Sequence, residues 1–176
     1  MKPKTKTERI LTIMHIIAWV GFVGFAIEAG AILTSFTVSF FSPEGSKNLY
    51  MGMNLYSLKQ ESMADYILSV LFMAASLCIQ CWMCYLLIKA LMTVNLADPF
   101  TVKMARRIEK ISYALFAVAI IAIMNKEHAD WLGQKTVVPE ANVNVVAYFF
   151  MAGLVFVIAQ IFKRGVELQT ENDLTV

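Results

Sequence analysis

The sequence predicts an all-α fold, a four-helix transmembrane bundle, because of how its apolar and charged residues are distributed. The chain has 176 residues, 59% of them hydrophobic, and its mean hydropathy is +0.63. A helix needs about 20 apolar residues to cross the roughly 30 Å of bilayer hydrocarbon. Four nearly uncharged stretches, at residues 10–41, 66–88, 111–125 and 143–162, supply four crossings, the third together with residues before it, and leave little of the chain over. We therefore expect a single integral membrane domain spanning residues 1–176.

The four stretches predict helices at about residues 10–41, 66–88, 99–124 and 143–165. The first stretch contains only His15 and Glu28 as titratable groups. The second and fourth stretches are free of charge up to Lys163. The third apolar run is short, so its helix is expected to begin earlier. Asp98-Pro99 has the pattern of an N-cap followed by proline at the first helical position.

The basic N-terminus also fits a secretory signal peptide, with Ala29-Gly30-Ala31 as a small-residue cleavage site. The apolar run before Glu28 is 18 residues long. That exceeds the roughly 7 to 15 residues of a signal-peptide core. An uncleaved first transmembrane helix is the better interpretation.

Lysine and arginine predict the orientation, since they concentrate in cytoplasmic loops. Eleven of the fifteen lie in the N-terminal tail, in residues 89–110 and after Phe162. We expect a multi-pass membrane protein with both termini in the cytoplasm. Residues 42–65 and 126–142 would then lie outside.

The first outer connection alternates apolar and polar residues over positions 49–56. This period of two is typical of a half-buried strand, and residues 136–138 offer a second short strand. Two interpretations stay open. The connection forms a small extracytoplasmic β-hairpin cap, or it packs irregularly on the bundle.

Glu28 is the only carboxylate within the four stretches. A charge at the bilayer centre costs about 2.5 to 3.5 kcal/mol on insertion scales. Measured from Arg9, however, Glu28 lies roughly 28 Å along the helix, near the outer interface. The favoured interpretation is a polar anchor, either at the interface or between helices, and the functional alternative is a proton- or cation-coupled transport site.

Cys78, Cys81 and Cys84 form a C-x-x-C-x-x-C pattern in the second stretch. Such spacing is found in metal and redox sites, and His15 lies at a similar predicted depth. The predicted orientation places the thiols on the reducing side, where disulfides are disfavoured. We interpret them as packing residues and expect no metal and no cofactor. A membrane thiol or metal protein is the third alternative.

Basic residues form a stripe on the helix that leads into the third crossing, at spacing i, i+3, i+4, i+7; these residues, called the basic stripe below, are Lys103, Arg106, Arg107 and Lys110. Anionic lipid headgroups attract such a stripe. The alternative partner is an acidic protein surface or the chain's own acidic tail, which contains Glu167 and Glu171.

Catalytic motifs are not found: no phosphate-binding glycine loop, no H-E-x-x-H helix and only two histidines in the whole chain. We expect no enzymatic activity and no direct contact with nucleic acid. Both a monomer and a homo-oligomer stay open.

Two sequence segments resemble a known family. They are Asp98-Pro99-Phe100-Thr101, followed by Arg106-Arg107-Ile108, and the C-terminal residues 161–176. They are similar to the bacterial domain-of-unknown-function 2975 family of small four-span membrane proteins. The resemblance implies four crossings of the bacterial inner membrane and a cytoplasmic C-terminus. Members are commonly encoded beside a small helix-turn-helix regulator, which implies a regulatory or sensory role as its membrane partner.

Overall fold

The structure, a computed structural model, describes residues 5–94, 99–133 and 144–173. Six helices and no strand occur within these ranges, and the helices are α1 (Lys6–Ser39), α2 (Glu44–Lys47), α3 (Tyr56–Glu61), α4 (Met63–Thr93), α5 (Val102–Gly133) and α6 (Val145–Asp173). The long helices α1, α4, α5 and α6 are each apolar enough to cross a membrane. The predicted four-helix transmembrane bundle is therefore confirmed.

Polar side chains fix where the long helices begin. Thr5 and Glu8 form a reciprocal capping box at the start of α1, and Ser62 accepts a hydrogen bond from the backbone of Asp65 at the start of α4. Such caps typically contribute about 1 kcal/mol each. Each long helix extends beyond its apolar stretch at one or both ends, because polar caps and charged turns continue a helix outside the hydrocarbon.

The start of α5 differs from the prediction. The hydroxyl of Thr101 accepts a hydrogen bond from the backbone of Met104 at 3.2 Å, so α5 begins at Val102 rather than near Pro99. Asp98, the predicted cap, lies outside the described residues. Thr101 immediately precedes α5 and accepts a hydrogen bond from a free N–H group of its first turn. Asp98 was expected to do the same for a helix that began three residues earlier.

The long helices pack antiparallel and in chain order. Helix α1 packs on α4, α4 on α5 and α5 on α6, whereas within the described ranges no other pair of long helices has Cα atoms within 8 Å. Helices α1 and α6 therefore flank the central pair α4 and α5. Many apolar side chains on their outer faces are exposed, as expected for surfaces that contact lipid.

One end of the bundle, called the basic end below, contains the start of α1 and α5 and the end of α4 and α6. The opposite end, called the loop end, contains α2, α3 and the remaining helix termini. Gly45 lies so close to α1 that an added Cβ would overlap the Ser35 oxygen and the Ser39 nitrogen. Tyr66, fully buried, donates a hydrogen bond to Ser39 at 2.9 Å. The connection between α1 and α4 is thus packed onto the bundle.

The alternating segment 49–56 is not a strand. Met51 and Gly52 have φ angles of 45° and 88°, so the chain turns there. Leu49 and Leu55 are nevertheless each 1% exposed. The alternating pattern therefore reflects burial of these leucines and not a strand. Of the two interpretations, irregular packing on the bundle is the one that holds for this segment. The second expected strand, 136–138, lies outside the described residues.

Candidate functional site

A cavity of about 250 Å³ opens between the long helices, toward the loop end. Its wall combines one carboxylate and several neutral polar groups with apolar side chains, and consists of Glu28, Ile32, Met53, Phe72, Met73, Ser76, Leu77, Gln80, Val118, Ile121, Ala122, Asn125 and Tyr148. All four long helices and the connection after α2 contribute. The chain-order packing creates this space, because α1 and α6 do not meet across it.

Glu28 lies on this wall, in the interior of α1. Helix α1 continues eleven residues past Glu28, to Ser39, which is roughly 16 Å of helix. The carboxylate is partly buried, and no described residue forms an ion pair with it. This position among the packed long helices is compatible with a polar anchor between helices, and the depth of Glu28 in the membrane stays a prediction.

Neutral polar side chains accompany Glu28 in the wall. Gln80 donates from Nε2 to the hydroxyl of Ser76 at 3.1 Å, one turn away on α4. Asn125 on α5 and Tyr148 on α6 complete the polar set. Sequence reasoning missed these groups, although Gln80 and Asn125 are amides within apolar stretches, a signal that they face protein and not lipid.

His128 lies one turn beyond Asn125 on α5. Its ring stacks on Trp131 with centroids 6.2 Å apart and meets the edge of Phe72, a cavity residue, at 5.9 Å. Its Nε2 atom is buried and has no hydrogen-bond partner among the described residues. His128 therefore does not line the cavity itself but packs against Phe72, which does.

His15 and the cysteines are not brought together. His15 accepts a hydrogen bond from the indole of Trp19 at 3.1 Å and borders a groove with Leu91 and Met92. Cys84 is buried, with its sulfur 3.6 Å from where a Cβ on Gly21 would lie. Within the described residues, no group of three histidine, cysteine or acidic side chains is placed to hold a metal ion.

The basic stripe divides into two parts in the structure. Lys103, Arg106 and Lys110 are exposed. Arg107 instead turns toward α4, where its guanidinium donates to the Lys89 carbonyl oxygen at 2.7 Å and to the Thr93 hydroxyl. A cation at a helix C-terminus satisfies free carbonyls and complements the helix dipole. One of the four predicted surface cations is therefore a structural cap.

Glu109, which sequence reasoning did not single out, forms an ion pair with Lys163 of α6. The hydroxyl of Tyr113 donates to the same carboxylate at 3.2 Å. Lys163 directly follows the apolar stretch of α6 and Glu109 lies two residues before that of α5, so the two charges come close in these antiparallel neighbours. That shared boundary position is the sequence signal that identifies such a pair.

The acidic tail is a continuation of α6, which ends at Asp173. Glu167 pairs with Arg164 on its own helix at 2.8 Å, and Glu171 also interacts electrostatically with Arg164. Arg106 and Glu167 line the same groove between α5 and α6, with a volume of about 200 Å³. No ion pair joins them within the described part of the chain.

These features define a class: a small four-span membrane protein with a cavity toward one end and a charged surface at the other. The chain belongs to the family described as Protein of unknown function (DUF2975), which matches residues 54–176. The match runs from the connection before α3 through α6 and does not include α1. No curated protein and no solved structure matches the chain.

Proposed function

We propose that this protein is a non-enzymatic regulatory membrane protein that binds a cytoplasmic regulator through its basic end. The single observation that carries the proposal is the exposed cationic surface formed by Lys103, Arg106 and Lys110. The positive-inside bias of the sequence supports a cytoplasmic location for this surface.

The residues around this surface hold it in a fixed position. Arg107 fastens the first turns of α5 to the end of α4, and Glu109 fastens them to Lys163 of α6. The three exposed cations therefore project from a helix that is anchored on both sides. A pre-organised surface loses less conformational entropy when a partner binds.

A groove beside these cations favours a protein partner over a purely lipid contact. Its walls combine apolar Val102 and Val166 with charged Arg106, Lys163 and Glu167. A mixed apolar and charged groove offers both an anchor for a side chain and complementary charge. Lipid headgroups alone need only the charge.

The partner we propose is an acidic surface on a helix-turn-helix regulator, in line with the family resemblance. Pull-down from detergent-solubilised membranes first identifies the helix-turn-helix regulator that co-purifies, and the test then uses that regulator with the membrane protein in nanodiscs of neutral phosphatidylcholine. Neutral lipid removes the competing attraction of anionic headgroups. We expect saturable binding that weakens as salt rises.

Charge reversal supplies the specificity control. Arg106→Glu should abolish regulator binding, whereas Lys126→Glu should leave it unchanged, because Lys126 is exposed on the same helix at the loop end. If neither variant alters regulator binding, the basic end is not the docking surface. A change confined to binding of anionic vesicles would assign the stripe to lipid anchoring instead.

A second candidate function is proton- or cation-coupled transport, which the position of Glu28 in the cavity wall favours. A carboxylate inside a membrane protein can load and release a proton or cation. In proteoliposomes, Glu28→Gln would then abolish substrate-dependent proton movement, with Glu61→Gln, outside the cavity, as the control. Unaltered proton movement in Glu28→Gln would exclude this candidate.

A further inference from the structure

We propose that the cavity is a binding site for one small lipophilic organic cation, with Glu28 as its counter-ion. This inference does not depend on regulator binding at the basic end, since the cavity and the basic stripe share no residue. It shares Glu28 with the transport candidate but requires binding only, not transport. Three observations support the proposal: the charge of the cavity wall, its aromatic groups and the volume of the cavity.

The charge of the wall has one sign. Glu28 is the only ionisable carboxylate among the lining residues, and no lysine, arginine or histidine lines the cavity within the described chain. The remaining polar groups, on Ser76, Gln80, Asn125 and Tyr148, are neutral. A carboxylate in apolar surroundings interacts strongly with an opposite charge, because little water screens the pair. The electrostatics of the cavity therefore select a cation.

The other lining residues favour a ligand whose charged group carries apolar substituents. Phe72 of α4 and Tyr148 of α6 are the aromatic residues of the wall, and aromatic faces attract organic cations, quaternary ammonium groups in particular. Leu77, Val118 and Ile121 offer only van der Waals contact. A hydrated metal ion would leave these surfaces unused, whereas an alkyl or aryl ammonium ion contacts both them and the carboxylate.

Size limits the ligand to a small molecule. The volume of about 250 Å³ is just below the roughly 300 to 1,000 Å³ of sites for drug-sized ligands. One compact ammonium ion with a single ring fits that space, whereas a two-chain phospholipid is far larger. The proposed occupant is therefore a small organic ammonium ion that reaches the site from the loop end or from the bilayer.

Equilibrium dialysis of the full-length protein in neutral phosphatidylcholine nanodiscs tests the proposal. The probe is radiolabelled benzyltrimethylammonium, and the comparison ligand is neopentylbenzene, its neutral isostere in which carbon replaces nitrogen. Empty nanodiscs correct for partitioning into lipid. We expect saturable binding of one cation per protein and clearly weaker binding of the neutral isostere. Equal binding of the two, or no saturable binding of the cation, would overturn the proposal without any variant.

Three variants assign the recognition to Glu28. Glu28→Gln should weaken cation binding by about tenfold or more and leave the isostere unaffected. Glu28→Asp, which keeps the charge, should retain most of the affinity. Glu61→Gln removes an exposed carboxylate away from the cavity and should bind like the unaltered protein. Unchanged cation affinity in correctly folded Glu28→Gln would refute the role of Glu28 as counter-ion.

A size-filling variant locates the ligand. Ala122 lines the cavity on α5, and Ala122→Leu should reduce binding of the cation and of the isostere alike. Ala114, buried two turns away on the same helix and outside the wall, supplies the matched Ala114→Leu control. If both substitutions reduced binding equally in folded protein, the ligand would not occupy this cavity. The regulator-binding assay at the basic end is read separately, so either proposal can fail without the other.

Discussion

The ring of Phe100 lies directly against the backbone of Gly165. A Cβ added at Gly165 would be 2.5 Å from Cδ1 of Phe100, and the same ring packs on Phe162 with centroids 5.3 Å apart. Phe100 belongs to the first of the two family-like segments and Gly165 to the second. The two segments therefore form one contact, which joins the residues just before α5 to α6.

Gly165→Ala should destabilise the protein because the added methyl group displaces Phe100. Alanine raises helix propensity by up to about 1 kcal/mol relative to glycine, but overpacking costs about 1 to 3 kcal/mol. Gly153→Ala is the matched control on the same helix, since no atom lies within 4 Å of its added Cβ. Thermal unfolding in detergent should show a lower Tm for Gly165→Ala and an equal or higher Tm for Gly153→Ala.

The same measurement on a double variant identifies the cause. Phe100→Ala removes the ring that the methyl group would meet, so Gly165→Ala should cost less stability in that background. The two substitutions are then non-additive, as expected of residues in contact. An equal loss of Tm with and without the ring would attribute the effect to the helix itself.

The Glu109–Lys163 pair should contribute modestly to stability. The side chains of Lys163 and Glu109 are 40% and 18% exposed, so solvent weakens their attraction and the coupling between them should be small. A double-mutant cycle with Glu109→Gln and Lys163→Met measures it in detergent unfolding. The coupling should shrink in high salt. Lys110→Met, an exposed neighbour, should show no coupling to Glu109→Gln, and equal coupling for both lysines would contradict the specific pair.

Arg107 and Arg106 are adjacent but should behave differently when they are replaced. Arg107→Ala removes the hydrogen bonds to the Lys89 carbonyl and the Thr93 hydroxyl, so it should lower the unfolding free energy by about 1 kcal/mol or more. Arg106→Ala should leave stability nearly unchanged and affect binding at the basic end instead. Comparable stability losses in the two variants would show that Arg107 is not a cap.

The sequence was sufficient to predict the four crossings because bilayer thickness imposes a length and forbids charge within it. The same constraint says nothing about which long helices touch. Glu28 could therefore be recognised as unusual, but its place beside Gln80 and Asn125 depends on chain-order packing that leaves a cavity. The N-cap was misplaced for a similar reason: both Asp98 and Thr101 have capping chemistry, and the sequence alone favoured the one before proline.

Helical periodicity also could not predict the direction in which each basic side chain points. Arg106 and Arg107 belong to one helical stripe, yet one faces outward and the other reaches the end of α4. Neighbouring long side chains can take different directions when a nearby helix end offers carbonyl acceptors. Ser46 shows that sequence patterns also fail to predict burial in a connection. It lies in a polar connection, yet it is fully buried and donates a hydrogen bond to the Pro43 carbonyl oxygen at 2.9 Å.

Membrane orientation is tested by single cysteines in a background where Cys78, Cys81 and Cys84 are replaced by alanine. Met51 is 88% exposed at the loop end, and Thr170 is exposed near the end of α6 at the basic end. Ser46, being buried, would not react on either side. An impermeant maleimide is applied to intact spheroplasts and then to permeabilised ones.

Met51→Cys should react in intact spheroplasts, and Thr170→Cys only after permeabilisation, because lysine and arginine are retained on the cytoplasmic side during insertion. The reverse pattern would keep the four-span fold but place the basic end outside, where no cytoplasmic regulator can reach it. Reaction of both cysteines in intact spheroplasts would be incompatible with four crossings, since four antiparallel spans put the loop end and the basic end on opposite sides.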